Sequence, residues 1–84
     1  MRITIENTDK IVMLETSEGE VPARVWQGHT ESGIPVHAFI TRIAPEIEKT
    51  HPNIDELTVE FETDLKRCAD PRMSVEAIPL RLIL

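Results

Sequence analysis

Five side chains in the first half of the chain have types that recognise ligands, at spacings that could bring them together. Arg24 and Trp26 lie two residues apart, as do His37 and Phe39, and Arg42 follows three positions later. Residues two apart share a face of an extended strand, so each pair would be presented together on a sheet. Trp and Arg are the types most enriched at protein-binding hot spots. The same set could instead stack a nucleobase on Trp26 or Phe39 and hold phosphate with Arg24 and Arg42. The plainer alternative is that a small sheet needs both faces covered, which would place Trp26 and Phe39 in the core and Arg24 and His37 at its rim.

Other chemistries find less support. His29, His37 and Cys68 are the soft-metal candidates, and no two fall at spacings that hold zinc; no metal site is expected. Gly28 to Gly33 has the glycine spacing of a phosphate loop, but Ile34-Pro35 stands where Lys-Ser/Thr would follow and Glu31 sits inside it. It reads as a hairpin loop. Ser32 with His29 or His37 and an acid lacks the local signature of a triad, so neither catalysis nor a cofactor is expected. So short a chain also lacks the concave volume for a substrate unless subunits build it between them. Cys68, the only cysteine, excludes an internal disulfide and reads as a small core residue. Residues 46 to 64 hold seven acids against Lys49 alone, a local balance of −6 equal to that of the whole chain. Glu56, Glu60, Glu62 and Asp64 in that run are either a solvated helix face or a negative surface for a basic groove on a partner.

The elements that must position these residues follow from period and punctuation. Ile3 and Ile5 alternate with polar residues, Asn7-Thr8-Asp9 has turn chemistry, and Lys10 to Leu14 resumes an apolar run, which predicts a first hairpin. Ser17 to Glu20 breaks the chain, Val21 to Gln27 alternates strictly, and Ile34 to Ile43 is the longest strand candidate. Pairing Gly28 with Gly33 sets Val25 opposite Val36, Ala23 opposite Ala38 and Val21 opposite Ile40. The other face would then carry Arg24, Trp26, His37, Phe39 and Thr41. Pro22 and Pro35 require an open side or a strand end. Ile54, Leu57, Phe61, Leu65 and Cys68 fall on one helical face, with Asn53 as N-cap and Glu56 as its capping-box partner. Alternation over 57–63 leaves a strand there as the competitor. Ser74 to Ala77 suits a single turn, and the apolar ending Ile78 to Leu84 is expected to be buried as a fifth strand, within the chain or across to a partner subunit. The sum is one α+β domain spanning residues 1–84: an antiparallel sheet of about five strands, two hairpins plus a C-terminal strand, with one amphipathic helix packed on it.

With 84 residues there is room for one core, and a chain this short buries only about 60 to 65% of its unfolded surface, so it leans on oligomerisation. Val, Ile, Leu and Phe make up 24 residues, enough to fold. A net charge of −6 argues against a duplex-binding protein. No apolar run has signal-peptide or membrane-spanning length, so a soluble cytoplasmic protein without membrane contact is expected.

Val21-Pro22-Ala23-Arg24-Val25-Trp26-Gln27-Gly28, Ser32-Gly33-Ile34, His37, Phe39 to Ala44 and the ending Ile78 to Leu84 resemble a group of small proteins encoded by tailed bacteriophages and prophages. The resemblance covers about a third of the chain, carries over no catalytic residue, and leaves Ile47 to Glu60 outside it. It implies a phage setting, in which small acidic proteins often act by binding. The expectation is a homo-oligomeric, non-enzymatic accessory protein that antagonises a bacterial defence or host factor by stoichiometric binding of a host protein. The alternatives are a sponge for a small anionic nucleotide at a subunit interface and a minor virion or assembly component.

Overall fold

The computed structural model describes all 84 residues. The strand-turn-strand pattern around Ser17-Glu18 produces a long antiparallel hairpin of β1 (Ile3–Thr16) and β2 (Gly19–Thr30), closed at Thr16 and Gly19. Asn7-Thr8-Asp9 does not reverse the chain, contrary to the expected first hairpin. β1 runs straight through it, with Asn7 opposite Trp26 and Ile11 opposite Arg24, so Thr8, Asp9 and Lys10 face Val25 alone in a wide bulge. The polar side chains that suggested a turn bond inside the sheet instead: Thr8 Oγ1 donates to the Val25 carbonyl at 2.6 Å and accepts from the Lys10 N–H at 3.2 Å.

β3 (Pro35–Ile40) pairs antiparallel with β2, as a second hairpin requires, but three residues out of the expected register. Val25 faces Phe39, Trp26 faces Ala38 and Gln27 faces His37. Gly28 is the reason. It lies inside the sheet, opposite Ile5 on one side and Val36 on the other, where a Cβ would run into the Thr4 carbonyl and Ile5 Cα. The reversal therefore falls later, at Glu31–Gly33, with Gly33 in the left-handed region at φ 87° and Thr30 N–H bonded to the Ile34 carbonyl at 2.9 Å. An odd slip exchanges the faces of β3. Pro35 opens β3, and β3 ends opposite Arg24, short of Pro22, so neither proline breaks a ladder.

The helix prevails over the strand at 57–63: α1 spans Ile54–Lys66, and Ile54, Leu57, Phe61 and Leu65 are its half-buried stripe. Asn53 occupies the N-cap without a side-chain cap bond, so the capping box with Glu56 does not form; the entry is fixed instead by Asn53 N–H donating to His51 Nδ1 at 3.0 Å. α2 (Met73–Glu76) is the expected single turn, and β4 (Arg81–Ile83) pairs parallel with β1. The protein is α+β, with a mixed sheet of four strands in the order β3-β2-β1-β4 rather than an antiparallel sheet of five. The strand count falls because the expected first two strands are one.

Val12, Leu14, Ala23 and Val25 on one sheet face bury Val75 of α2, with Phe39, Ile78 and Leu82 packed around them. This core is thin. Nine residues are buried, and four of those are polar: Asn7, Thr8, Gln27 and Thr30. The radius of gyration is 15.1 Å, against about 12 Å for a compact chain of this length. The accessible surface is 6652 Å², against about 5,000 Å² for a compact monomer of this mass. Ile83 and Leu84 stay exposed, so pairing with β1 does not bury the apolar ending as expected.

The position of Gly28 generates a prediction. Gly28→Ala should destabilise by about 2–4 kcal/mol in urea unfolding, because backbone on the neighbouring strand must move. Gly33→Ala, strained only by its positive φ, should cost about 1 kcal/mol. Equal costs would contradict the observed register.

Candidate functional site

The β3 slip divides the expected site. Trp26 and Arg24 project from the sheet face opposite the core, while His37 and Phe39 are paired with Gln27 and Val25 and lie on the core side. There the two rings meet edge to face at 5.4 Å and 78°, and Phe39 packs on the core while His37 stays exposed. His37 and Phe39 therefore do not belong with Arg24 and Trp26. Arg42 does, because the chain beyond β3 passes the same face.

α1 covers part of that face and leaves a groove of about 710 Å³. Its floor is Trp26 with Ile11, Pro22 and Ile40, one wall is Thr41-Arg42-Ile43, and the other is Glu62, Leu65, Lys66 and Cys68 at the end of α1. The volume is in the range of small-molecule sites. Three cations, Arg24, Arg42 and Lys66, line it against one carboxylate, Glu62. The i,i+4 spacing of Glu62 and Lys66 forms no ion pair; those of the chain are Arg2–Glu31, Arg81–Glu15 and Arg81–Glu20.

The bulge in β1 holds the end of α1 in place. Asn7 Nδ2 donates to the Leu65 carbonyl at 2.8 Å and to Cys68 Sγ at 3.6 Å. Its own carbonyl accepts from the Ala69 N–H at 2.9 Å, and Ala69 bridges Thr8 in parallel. Arg24 Nη1 spans the junction, donating to the Thr8 carbonyl at 2.8 Å and to Cys68 Sγ at 3.4 Å; Nε and Nη2 make no bond within the chain and are free for a ligand. Cys68 is therefore not a core residue: α1 ends at Lys66, and the thiol sits exposed at the groove, accepting from two donors. Its partners supply no general base. Glu56, Glu60, Glu62 and Asp64 are exposed, and only Glu62 faces the groove.

Gln27 and Arg72 carry the chain from this face to the other. The buried Gln27 amide donates from Nε2 to the Asp70 carbonyl at 3.0 Å and accepts the Arg72 N–H at 2.9 Å. Arg72 reaches the Gly28 and Val36 carbonyls through Nη1 and Nη2 at 3.3 and 2.6 Å, with Nε buried and unpartnered. Nothing in its sequence context singled it out. A second, polar hollow of about 390 Å³ beside it takes in Glu6 and His29. No group of three or more His, Cys, Asp or Glu side chains converges as metal ligands would, and no helix is long and apolar enough to cross a membrane. Comparison with protein-family models, curated proteins and solved structures finds no match to this chain.

Because α1 has no fully buried residue, its anchorage rests heavily on Asn7. Asn7→Ala should speed amide hydrogen exchange across α1 by about tenfold, the effect of losing one to two kcal/mol of side-chain bonding. Unchanged exchange would mean that the apolar stripe holds α1 without it.

Proposed function

We propose that this chain is a non-enzymatic binding protein that sequesters a small anionic aromatic molecule, of the nucleotide class, in the groove between α1 and the sheet. One observation carries the reading: Trp26, a flat apolar surface on which a base can stack, is ringed by Arg24, Arg42 and Lys66, which can take phosphate. The groove contains no histidine, and the Cys68 thiol is held by the Asn7 and Arg24 donors, which favours capture over turnover. In the phage setting implied by the resemblance, such a protein antagonises a bacterial defence or host factor by stoichiometric removal of its nucleotide signal, within the host cytoplasm.

A second reading, direct blockade of a basic groove on a host protein by the acidic face of α1, is favoured by a different fact. Glu56, Glu60, Glu62 and Asp64 all stand exposed with no ion-pair partner.

The readings separate by fluorescence, because Trp26 is the sole tryptophan and the chain has no tyrosine. Titration with 5′-AMP and with a cyclic dinucleotide should shift Trp26 emission saturably and slow alkylation of Cys68. Trp26→Leu, followed by calorimetry, should weaken binding about 5- to 150-fold, the range for loss of one base–aromatic stack. Arg42→Ala should weaken it by about tenfold. If neither nucleotide at millimolar concentration changes the emission or the alkylation rate, the nucleotide reading is wrong. Reversing Glu56 and Glu60 would then be the informative change.

A further inference from the structure

β4 presents an open edge, and we infer that a second copy of this chain covers it by edge-to-edge pairing of the two β4 strands. β4 bonds to β1 through alternate residues. Met13, opposite Arg81, donates its N–H to the Leu80 carbonyl at 2.8 Å, and Glu15, opposite Ile83, accepts the Leu84 N–H at 2.9 Å. In a parallel ladder of this register the backbone groups of Leu82 turn toward β1, and those of Arg81 and Ile83 turn away. β4 is the last strand of the sheet, so two N–H and two C=O groups point outward with nothing beyond them. The side chains are apolar and free: Leu80 is 69% exposed, Ile83 83% and Leu84 75%.

Such an edge is a template for another strand unless something guards it. The one charged residue on β4 does not. Arg81 is drawn back across the sheet by Glu15 at 2.9 Å and by Glu20, and these two carboxylates hold its guanidinium above its ordinary pKa.

The register of the pairing follows from which groups are free. An antiparallel arrangement with its two-fold axis at Leu82 sets Arg81 of each copy opposite Ile83 of the other, and both pairs exchange two N–H···O bonds, four in all. Leu82 then meets Leu82 of the second copy, and Leu80 meets Leu84. By alternation these three leucines lie on the face that carries Leu14, so the apolar ladder continues the core from one copy to the next. The contact is isologous and closes at two, giving one sheet of eight strands.

The chain as a whole has surface to spare. The chain exposes about 1,600 Å² more than a compact monomer of its mass, and a standard interface removes about 800 Å² from each partner. β4 contributes nothing to the groove at Trp26. Dimer and ligand site can therefore fail independently.

Native mass spectrometry and sedimentation equilibrium test this directly. The wild-type chain should run at twice 9.5 kDa. Ile83→Pro removes an outward N–H while leaving every β1–β4 bond intact, and proline is tolerated at such an edge. It abolishes two of the four bonds, so the dimer dissociation constant should rise about 30-fold or more with an unchanged circular dichroism spectrum. Ile83→Lys, which keeps the N–H but places a charge on the edge, should also favour the monomer, and Trp26→Leu should not. In the wild type, hydrogen exchange at the Arg81 and Ile83 amides should slow as concentration rises. A wild-type monomer at about 100 µM, a trimer or larger ring, or unprotected Arg81 and Ile83 amides in a dimeric sample would each overturn the inference. None of these results depends on whether a nucleotide binds.

Discussion

Three residues of β1 set against one of β2 decide the shape of this protein. Thr8, Asp9 and Lys10 opposite Val25 break the plain register of the hairpin at this point. With them, Asn7 turns to hold the Leu65 carbonyl, Ala69 docks beside Thr8, and Arg24 closes the junction on Cys68. From there the chain passes around the β1 edge. Gln27 receives it on the far side, and Val75 enters the core against Val12 and Val25. Both helices are thus placed by one irregularity: α1 on the groove face, α2 on the core face. Buried polar groups are costly unless bonded, and here Asn7, Thr8 and Gln27 all are. Their bonding makes the crossover specific where a core of five apolar residues could not.

The same economy explains why the edges matter. Few side chains are fully buried, and β4 adds only three residues to the sheet. Arg81 compensates by linking three strands, from β4 to Glu15 on β1 and Glu20 on β2. These pairs are exposed and individually weak, but together they fix the strand's lateral position. The apolar side chains beside them remain in solvent.

Much of this was legible in the sequence, and what was not failed for identifiable reasons. Helical period supplied α1, because five residues at helical spacing outweighed an alternation of four, Leu57, Val59, Phe61 and Thr63. It also supplied the β2–β3 pair and the α+β class. The bulge has the sequence of a turn because Asn, Thr and Asp carry the same local hydrogen-bonding capacity in either role, and only long-range partners, Leu65 and Val25, decide between them. The register error came from treating Gly28 and Gly33 alike. One glycine is required by close approach of a neighbouring strand, the other by a positive φ, and the two demands are indistinguishable in one sequence. An odd slip then moved His37 and Phe39 off the face of Trp26, so three of the five expected residues assemble. The α1 end of the groove, with Lys66 and Cys68, depended on where α1 stops and could not be placed without the bulge. Arg72 gave no local signal, since its partners are backbone carbonyls remote in sequence.

The charge distribution bears on what the groove can admit. A net charge of −6 sets a repulsive far field for any polyanion, and Glu62 of α1 lines the groove itself. A nucleic acid strand longer than the groove leaves most of its phosphates in that far field, so it loses outside what it gains within. A small anion does not. At physiological salt, fields from exposed charges fade over about 8 Å, so a ligand seated beside Trp26 responds chiefly to Arg24, Arg42 and Lys66, with Glu62 as the single opposing charge. Glu62 also selects, because it disfavours a ligand whose charge extends along α1. On the proposed reading an acidic protein therefore takes a mononucleotide or a compact dinucleotide and rejects a polymer of the same units, and it does so by arrangement of charge rather than by its sum.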